Sequence, residues 1–156
     1  MSGRIYTAQF NGVDVTAQQD LFEIVAPSTG IIQIHELSLG QITEIGDAME
    51  EQLLLLWKSG STTTGSGGSA PSKVARSFGD AASGATVAAN NTTKATAGTI
   101  VTHRVWAWNI RVPFQMIWTP ETMAVLAPSR RGTIELGTTP ADSVTMNGYL
   151  VWEEIG

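Results

Sequence analysis

Residues 50–58 read Glu50-Glu51-Gln52-Leu53-Leu54-Leu55-Leu56-Trp57-Lys58, with five large apolar side chains in a row. Successive side chains of a β-strand point to opposite faces of the sheet, so Leu53, Leu55 and Trp57 leave on one side and Leu54 and Leu56 on the other. Both sides then need apolar cover, and a second sheet or a neighbouring protein surface has to supply part of it. The stretch predicts a strand shared between a core and a neighbouring surface. The alternation does not decide which side meets the neighbour.

Alternation of apolar and polar residues recurs along the rest of the chain, whereas helical periodicity is weak. We therefore predict a mainly β protein: an antiparallel, jelly-roll-like two-sheet sandwich of about eight strands with long Gly/Ser/Thr loops. The dipeptide Asn11-Gly12 is typical of a hairpin turn and is predicted to close the first strand. The predicted strands are Arg4 to Phe10, Leu21 to Ala26, Ile31 to Gly40, Asp47 to Lys58, Ile100 to Val112, Phe114 to Trp118, Thr133 to Leu136 and Val144 to Trp152.

Two tracts of small residues interrupt this pattern. Residues 59–72 contain no side chain large enough to anchor them and are predicted to form a flexible loop or arm, which could span about 45 Å at about 3.3 Å per residue. Residues 79–99 are predicted to be mostly loop, with one short strand near Ala85 to Ala89. We expect residues 1–156 to form a single domain that carries both tracts.

Composition excludes several classes of function. The chain of 156 residues has 9 basic and 14 acidic side chains, a net charge of −5 and no cysteine. The charge argues against a nucleic-acid-binding protein, and the lack of cysteine excludes disulfides, thiolate metal sites and cysteine nucleophiles. No basic and apolar leader begins the chain, and no apolar run approaches the length of a membrane span, so we expect neither export nor a membrane partner.

No set of residues predicts catalysis or a cofactor. The best candidate is an acidic cluster that could hold a hard cation, but its spacing does not match a calcium loop, and a solvated charged turn is the simpler interpretation. The two histidines lack a second ligand at a useful spacing, no serine lies in a nucleophile elbow, and the glycines of residues 65–68 lack the Lys-Ser/Thr of a phosphate loop. We therefore predict that the protein is not an enzyme. The residues considered are Glu44, Asp47, Glu50, Glu51, His35, His103, Ser61 and Ser66.

The five tryptophans support two interpretations. A row of exposed tryptophans on a sandwich can stack on sugar rings, which would make the protein a carbohydrate-binding module. Most of these tryptophans, however, alternate in phase with aliphatic neighbours, which is typical of a core or a subunit interface and is the interpretation we favour. They are Trp57, Trp106, Trp108, Trp118 and Trp152.

A series of short motifs along nearly the whole chain resembles a group of small proteins encoded in tailed-bacteriophage genomes and prophages. No catalytic residues are associated with that group. The motifs are Ala17-Gln18-Gln19-Asp20-Leu21-Phe22-Glu23-Ile24, Gly46-Asp47-Ala48-Met49-Glu50-Glu51, Gly65-Ser66-Gly67-Gly68-Ser69-Ala70-Pro71, Asn90-Asn91-Thr92-Thr93, Trp118-Thr119-Pro120-Glu121 and Ala141-Asp142-Ser143-Val144-Thr145-Met146-Asn147-Gly148.

The resemblance implies a virion structural protein, most simply a head decoration or cement protein that bridges subunits of the major capsid protein. Such a protein would act as a homo-oligomer, with a trimer expected at three-fold positions, on the capsid surface of the virion and in the host cytoplasm during assembly. A tail, neck or head-fibre component is the alternative within the virion. The predicted oligomer or capsid interface consists of Leu53, Leu54, Leu55, Leu56, Trp57, Ser66, Gly67 and Gly68.

Overall fold

A computed structural model of the protein describes residues 3–43 and 51–156. These residues form eleven β-strands and no helix. The strands are β1 (Arg4–Val15), β2 (Gln19–Val25), β3 (Ile31–Gln41), β4 (Gln52–Thr63), β5 (Val74–Ala75), β6 (Thr86–Asn91), β7 (Thr96–Asn109), β8 (Phe114–Ile117), β9 (Ala124–Leu126), β10 (Arg131–Leu136) and β11 (Val144–Ile155).

Two antiparallel sheets contain all of these strands. The six-stranded sheet has the order β5-β1-β11-β3-β8, with β9 also paired to β3, and the five-stranded sheet has the order β6-β2-β10-β4-β7. The principal pairs are nested, because β1 pairs with β11, β2 with β10, β3 with β8, and β4 with β7. Successive nested pairs alternate between the two facing sheets, which is the jelly-roll arrangement. The predicted two-sheet sandwich is confirmed, with three short strands added to the eight principal ones.

The core lies between the inner faces of the two sheets. Strands of both sheets alternate buried and more exposed residues, as expected where one face of an antiparallel sheet is covered. Four apolar residues of β11 lie on its core-facing side and are buried. They are Val144, Met146, Leu150 and Trp152.

The side chain of Trp57 reaches across the inner face of its sheet onto β10. A Cβ atom added to Gly132 would lie 2.1 Å from Cη2 of Trp57, closer than atoms can approach. Glycine at position 132 therefore leaves the space that the indole ring occupies. The sequence gives no local sign of this requirement, since the two residues are brought together only by the β4–β10 ladder.

The predicted hairpin turn at Asn11-Gly12 is wrong. β1 runs through both residues to Val15, and Asn11 and Gly12 form a β-bulge opposite Asn147 of β11. Gly12 has a φ of 66°, so the residue type that favours a hairpin serves here to insert an extra residue in the strand. The bulge lengthens the β1–β11 ladder instead of ending it.

The two small-residue tracts are more regular than predicted. Residues 59–63 continue β4, and bridges join Ser66 to Thr93 and Ser69 to Ala89. In the second tract, β6 takes up residues 86–91 and β7 already begins at Thr96. The short strand predicted near Ala85 to Ala89 is confirmed as β6, whereas the predicted loops are wrong for residues 59–63 and 96–99. The remaining residues of each tract lie outside the named strands.

The predicted core strand from Ile100 to Val112 is also corrected. β7 is the edge strand of the five-stranded sheet, and its residues from Thr96 to Val105 are exposed. Only its end joins the core, through Trp108 and the half-buried Trp106. The predicted start of the fourth strand, at residues 47–50, lies outside the described residues, and β4 begins at Gln52.

Replacing Gly132 by alanine should destabilise the protein by about 1–3 kcal/mol, because the added methyl group overlaps the Trp57 ring. Urea unfolding followed by tryptophan fluorescence measures the change. Gly40→Ala is the control, since its added Cβ would meet only the Asn147 side chain at 3.1 Å, and we expect it to cost less than about 1 kcal/mol. Equal stability of the two variants would contradict the packing described here.

Candidate functional site

The run of leucines divides cleanly between core and surface. Leu53, Leu55 and Trp57 are 2%, 0% and 4% exposed and belong to the core. When the chain is folded, these side chains therefore cannot contact another molecule. Leu54 and Leu56 are half-buried and lie on the outer face of the five-stranded sheet. The side that remains available to a neighbour is therefore that of Leu54 and Leu56.

The outer face carries more aliphatic surface beside these leucines. In the β4–β7 ladder, Leu54 lies opposite Ala107 and Leu56 lies opposite Val105, which is 57% exposed. These four residues form one strip along the sheet, which we call the aliphatic strip. Gly137 borders it, since a Cβ there would lie 2.9 Å from Cδ1 of Leu56.

The predicted interface residues Ser66, Gly67 and Gly68 lie elsewhere. The Ser66 amide donates to the Thr93 carbonyl at 2.9 Å, and Gly68 packs so closely on the Ala89 carbonyl that a Cβ would be 2.2 Å from it. This segment follows the β6 end of the five-stranded sheet, with β2 and β10 between it and β4. The structure does not bring the two predicted groups together.

Glu23, on β2, fixes the segment that crosses the outer face. Its buried carboxylate accepts hydrogen bonds from Thr64 Oγ1 at 2.6 Å, from the Gly65 amide at 2.9 Å and from Asn91 Nδ2 at 2.9 Å. It also forms an ion pair with Arg131 Nε at 2.7 Å. Hydrogen bonds to a charged acceptor are the stronger kind, so one carboxylate holds a segment that has no large side chain to bury.

Two further carboxylates, those of Glu135 and Asp20, lie on the same sheet as Glu23. We call these three carboxylates and their partners the polar layer. Glu135 pairs with Lys58 Nζ at 2.6 Å and with Lys94 Nζ at 3.0 Å. Asp20 accepts a hydrogen bond from the Ala95 amide at 2.7 Å, while its second oxygen is buried without a partner among the described residues. Burial raises the pKa of Asp20 to about 6, with smaller contributions from Glu135 and Glu23, against the hydrogen bond from Ala95 and the charge of Lys94.

Glu154, on β11 of the six-stranded sheet, anchors the second small-residue tract in the way that Glu23 anchors the first. Its carboxylate accepts hydrogen bonds from Ser83 Oγ, from the amides of Gly84 and Ala85 at 3.0 Å each, and from Trp152 Nε1 at 3.2 Å. Burial alone would raise the pKa of Glu154, but these hydrogen bonds outweigh it and hold the pKa below its ordinary value. The second small-residue tract is thus fixed through its backbone.

The described residues contain no group of three histidine, aspartate or glutamate side chains that could hold a metal ion. Glu44, Asp47 and Glu50 of the predicted acidic cluster lie outside those residues, and Glu51 accepts a hydrogen bond from the Ala141 amide. His35 contacts Glu153 at 2.9 Å. His103 contacts Ser59 Oγ at 2.7 Å on the exposed surface, a pair that no local sequence pattern predicts because the two residues are 44 positions apart. In the described residues, no carboxylate bonds to its other nitrogen, and the imidazole ring lies 6.4 Å from the Trp57 ring, centroid to centroid.

One cavity in the described part of the chain has a volume of about 490 Å³ and is bordered by Tyr6 and Glu154. The Tyr6 hydroxyl donates to the Ala81 carbonyl at 2.8 Å, and Glu154 already accepts four hydrogen bonds. The polar groups at this cavity therefore serve to fix the chain.

The tryptophans lie in the core, as favoured by the sequence. Trp57, Trp108, Trp118 and Trp152 are buried, and Trp106 is half-buried against Phe114 and Trp118. They form no exposed row on which sugar rings could stack.

Comparisons of the chain with protein-family models, with curated proteins and with solved structures found no match. In residues 3–43 and 51–156, no helix is long and apolar enough to cross a membrane.

Glu23→Gln should destabilise the protein by about 3 kcal/mol, because it leaves Arg131, whose side chain is only 14% exposed, without its counter-charge. It should also speed hydrogen exchange of the Gly65 amide, which donates to the same carboxylate. Urea unfolding and exchange measured by NMR test both effects. The control is Glu121→Gln, in an exposed turn, and a result equal to that control would contradict the role of Glu23.

Asp20→Asn should change the pH dependence of stability. The pKa of Asp20 is about 6 in the folded protein and near 4 when unfolded, so the folded state favours the protonated form. The stability that protonation contributes is present below the unfolded pKa and is lost as the pH rises towards 6. We therefore expect Asp20→Asn to gain about 2 kcal/mol relative to the original protein between pH 4.5 and pH 7.5. Unfolding curves at both pH values measure this, and a parallel pH profile for the two proteins would contradict it.

Proposed function

We propose that the protein is a structural component of a tailed-bacteriophage virion, and specifically a head decoration protein that binds the capsid as a homo-oligomer and bridges subunits of the shell. The observation that carries the proposal is the surface of the five-stranded sheet. A partly exposed aliphatic strip and a long edge strand lie there, next to a polar layer in which Glu23 and Glu135 are paired with cations of the same chain. The resemblance of the sequence motifs to phage-encoded proteins supports the same function.

The distribution of polar groups favours binding over catalysis. The carboxylates of Glu23, Glu135 and Glu154 are each engaged by two or more donors or cations, which leaves them little capacity to act as an acid or base. Aliphatic surface that is not used in the core, by contrast, gains free energy when a partner covers it. A jelly roll serves many functions, so the fold alone does not argue for a virion protein.

The small-residue tracts suit a protein that coats a shell. Both are fixed by carboxylates on the sheets, so the outer surface is largely ordered before it meets a partner, and little conformational entropy is lost on binding. A trimer on three-fold positions is the stoichiometry that we propose for the bound form.

The proposal is tested by mixing the purified protein with expanded heads that lack it, and measuring co-sedimentation and the position of added density by electron microscopy. We expect saturable binding on the outer surface of the head. Absence from heads, together with immunogold labelling of the tail or neck, would overturn the decoration role and identify a different virion component.

Leu56→Asp should weaken head binding at least about ten-fold, because it places a charge in the aliphatic strip that we propose contacts the shell. Leu54→Asp should act in the same direction. The matched control is Val74→Asp, an equally apolar position that is 59% exposed on the edge of the other sheet. Circular dichroism verifies folding of each variant, and equal binding by Leu56→Asp and Val74→Asp would exclude the strip as the contact.

A further inference from the structure

The sandwich has four sheet edges, and three of them are covered or interrupted. In the six-stranded sheet, β8 and β9 cover most of β3, whereas β5 pairs with only two residues of β1. The rest of the β1 edge contains the bulge at Asn11-Gly12 and the exposed Asp14, so it is not a regular template. In the five-stranded sheet, the β6 edge is covered through the bridges of Ser66 and Ser69. The fourth edge is β7, which has 14 residues and, among the described residues, pairs only with β4. Proteins normally guard long edges because unpaired backbone groups recruit other strands.

The orientation of the backbone shows which groups are open on β7. The Leu54 amide donates to Thr138 Oγ1 at 3.1 Å, and its carbonyl accepts from the Gly137 amide at 2.8 Å, so both point towards β10. The backbone amides and carbonyls of the neighbouring residues Leu53 and Leu55 must then point towards β7, where these residues pair with Trp108 and Trp106. It follows that the amides and carbonyls of Val105 and Ala107 point away from β4, to the open edge.

The side chains of β7 do not protect this edge. Ile100, Val101 and Val105 are exposed aliphatic residues, and the strand contains no lysine, proline or carboxylate. Register irregularities occur between Gly98 and Arg104, but from Arg104 to Asn109 the ladder is regular. This regular stretch is a suitable template for a further antiparallel strand.

We propose that β7 pairs antiparallel with β7 of a second copy of this chain across a two-fold axis, joining the two five-stranded sheets into one of ten strands. The other edges of the chain are covered or, in β1, interrupted by a bulge, so a second copy offers β7 no comparable regular partner except its own β7. Pairing of identical edges is closed at two copies and does not propagate into a fibre.

The same contact brings the two aliphatic strips together. A two-fold axis perpendicular to the sheet keeps Leu54, Leu56, Val105 and Ala107 of both copies on one face. With Val105 opposite Ala107 of the second copy, the two Arg104 residues are four positions apart, about 14 Å along the strands. That distance exceeds the screening length of about 8–10 Å in ordinary buffer, so their repulsion is small. The pairing is distinct from the three-fold contact proposed on the shell and does not depend on it.

Sedimentation of the purified protein up to hundreds of micromolar tests the pairing. We expect a reversible two-copy species, or an even multiple of it if a three-fold contact also forms in solution. Val105→Pro removes only an amide that faces the open edge, and it should raise the dissociation constant at least about ten-fold. Val105→Thr keeps the amide and the branched shape and should change it less than about three-fold. A monomer at all concentrations, or a three-copy species unaffected by Val105→Pro, would overturn the pairing.

A spin label gives a second measurement that does not require the proline variant to fold. The chain has no cysteine, so Ala107→Cys provides a single attachment site. In the proposed register the two Ala107 positions are diagonal neighbours about 7–8 Å apart, and a nitroxide on each should broaden the electron paramagnetic resonance spectrum at high concentration. A label on Val74→Cys should show no such broadening. Equal spectra at low and high concentration for Ala107→Cys would overturn the proposal.

Discussion

The buried carboxylate of Glu23 is the interaction on which the outer face of the five-stranded sheet depends. The segment that crosses this face has no large apolar side chain, so the hydrophobic effect cannot hold it in place. Its attachment rests instead on hydrogen bonds to one charged acceptor, which is itself balanced by Arg131. Glu154 solves the same problem on the opposite sheet, for the tract around Gly84. Polar anchoring leaves the aliphatic side chains at the β7 end of the sheet free for other contacts.

Much of the fold was predictable because its strands are half-buried. In β4 and β11, one face meets the core and the other does not, and this difference is recorded directly as alternation in the sequence. The same alternation predicted two distinct sides for the leucine run. It could not identify the outer side, since Leu54 and Leu56 are as apolar as the leucines in the core.

The features that the sequence did not predict have two physical causes. Some depend on contacts between residues far apart in the chain, and others on residue types that serve more than one local structure. Glu23 is 42 residues from Gly65, so no local pattern marks that tract as anchored. Gly12 supplies a positive φ that serves a bulge as well as a turn. β7 alternates like a core strand although most of it is exposed, and for this reason the sequence did not identify Val105 and Ala107 as part of the candidate surface. Ser66, Gly67 and Gly68 lie apart from the leucine run because the chain turns away to the β6 end of the sheet.

The nested pairing of strands also governs when the chain can fold. Among the described residues, β1 pairs only with β11 and with the two-residue β5, and Arg4 lies opposite Glu154 of β11. During synthesis, β1 must therefore wait for the last principal strand to leave the ribosome, and closing so long a loop makes the step slow. Throughout that interval the apolar residues of β1 have no permanent cover. The sandwich is thus expected to fold only after β11 has been synthesised, and its yield at high expression should be limited by aggregation of unfinished chains more than by the stability of the finished sandwich.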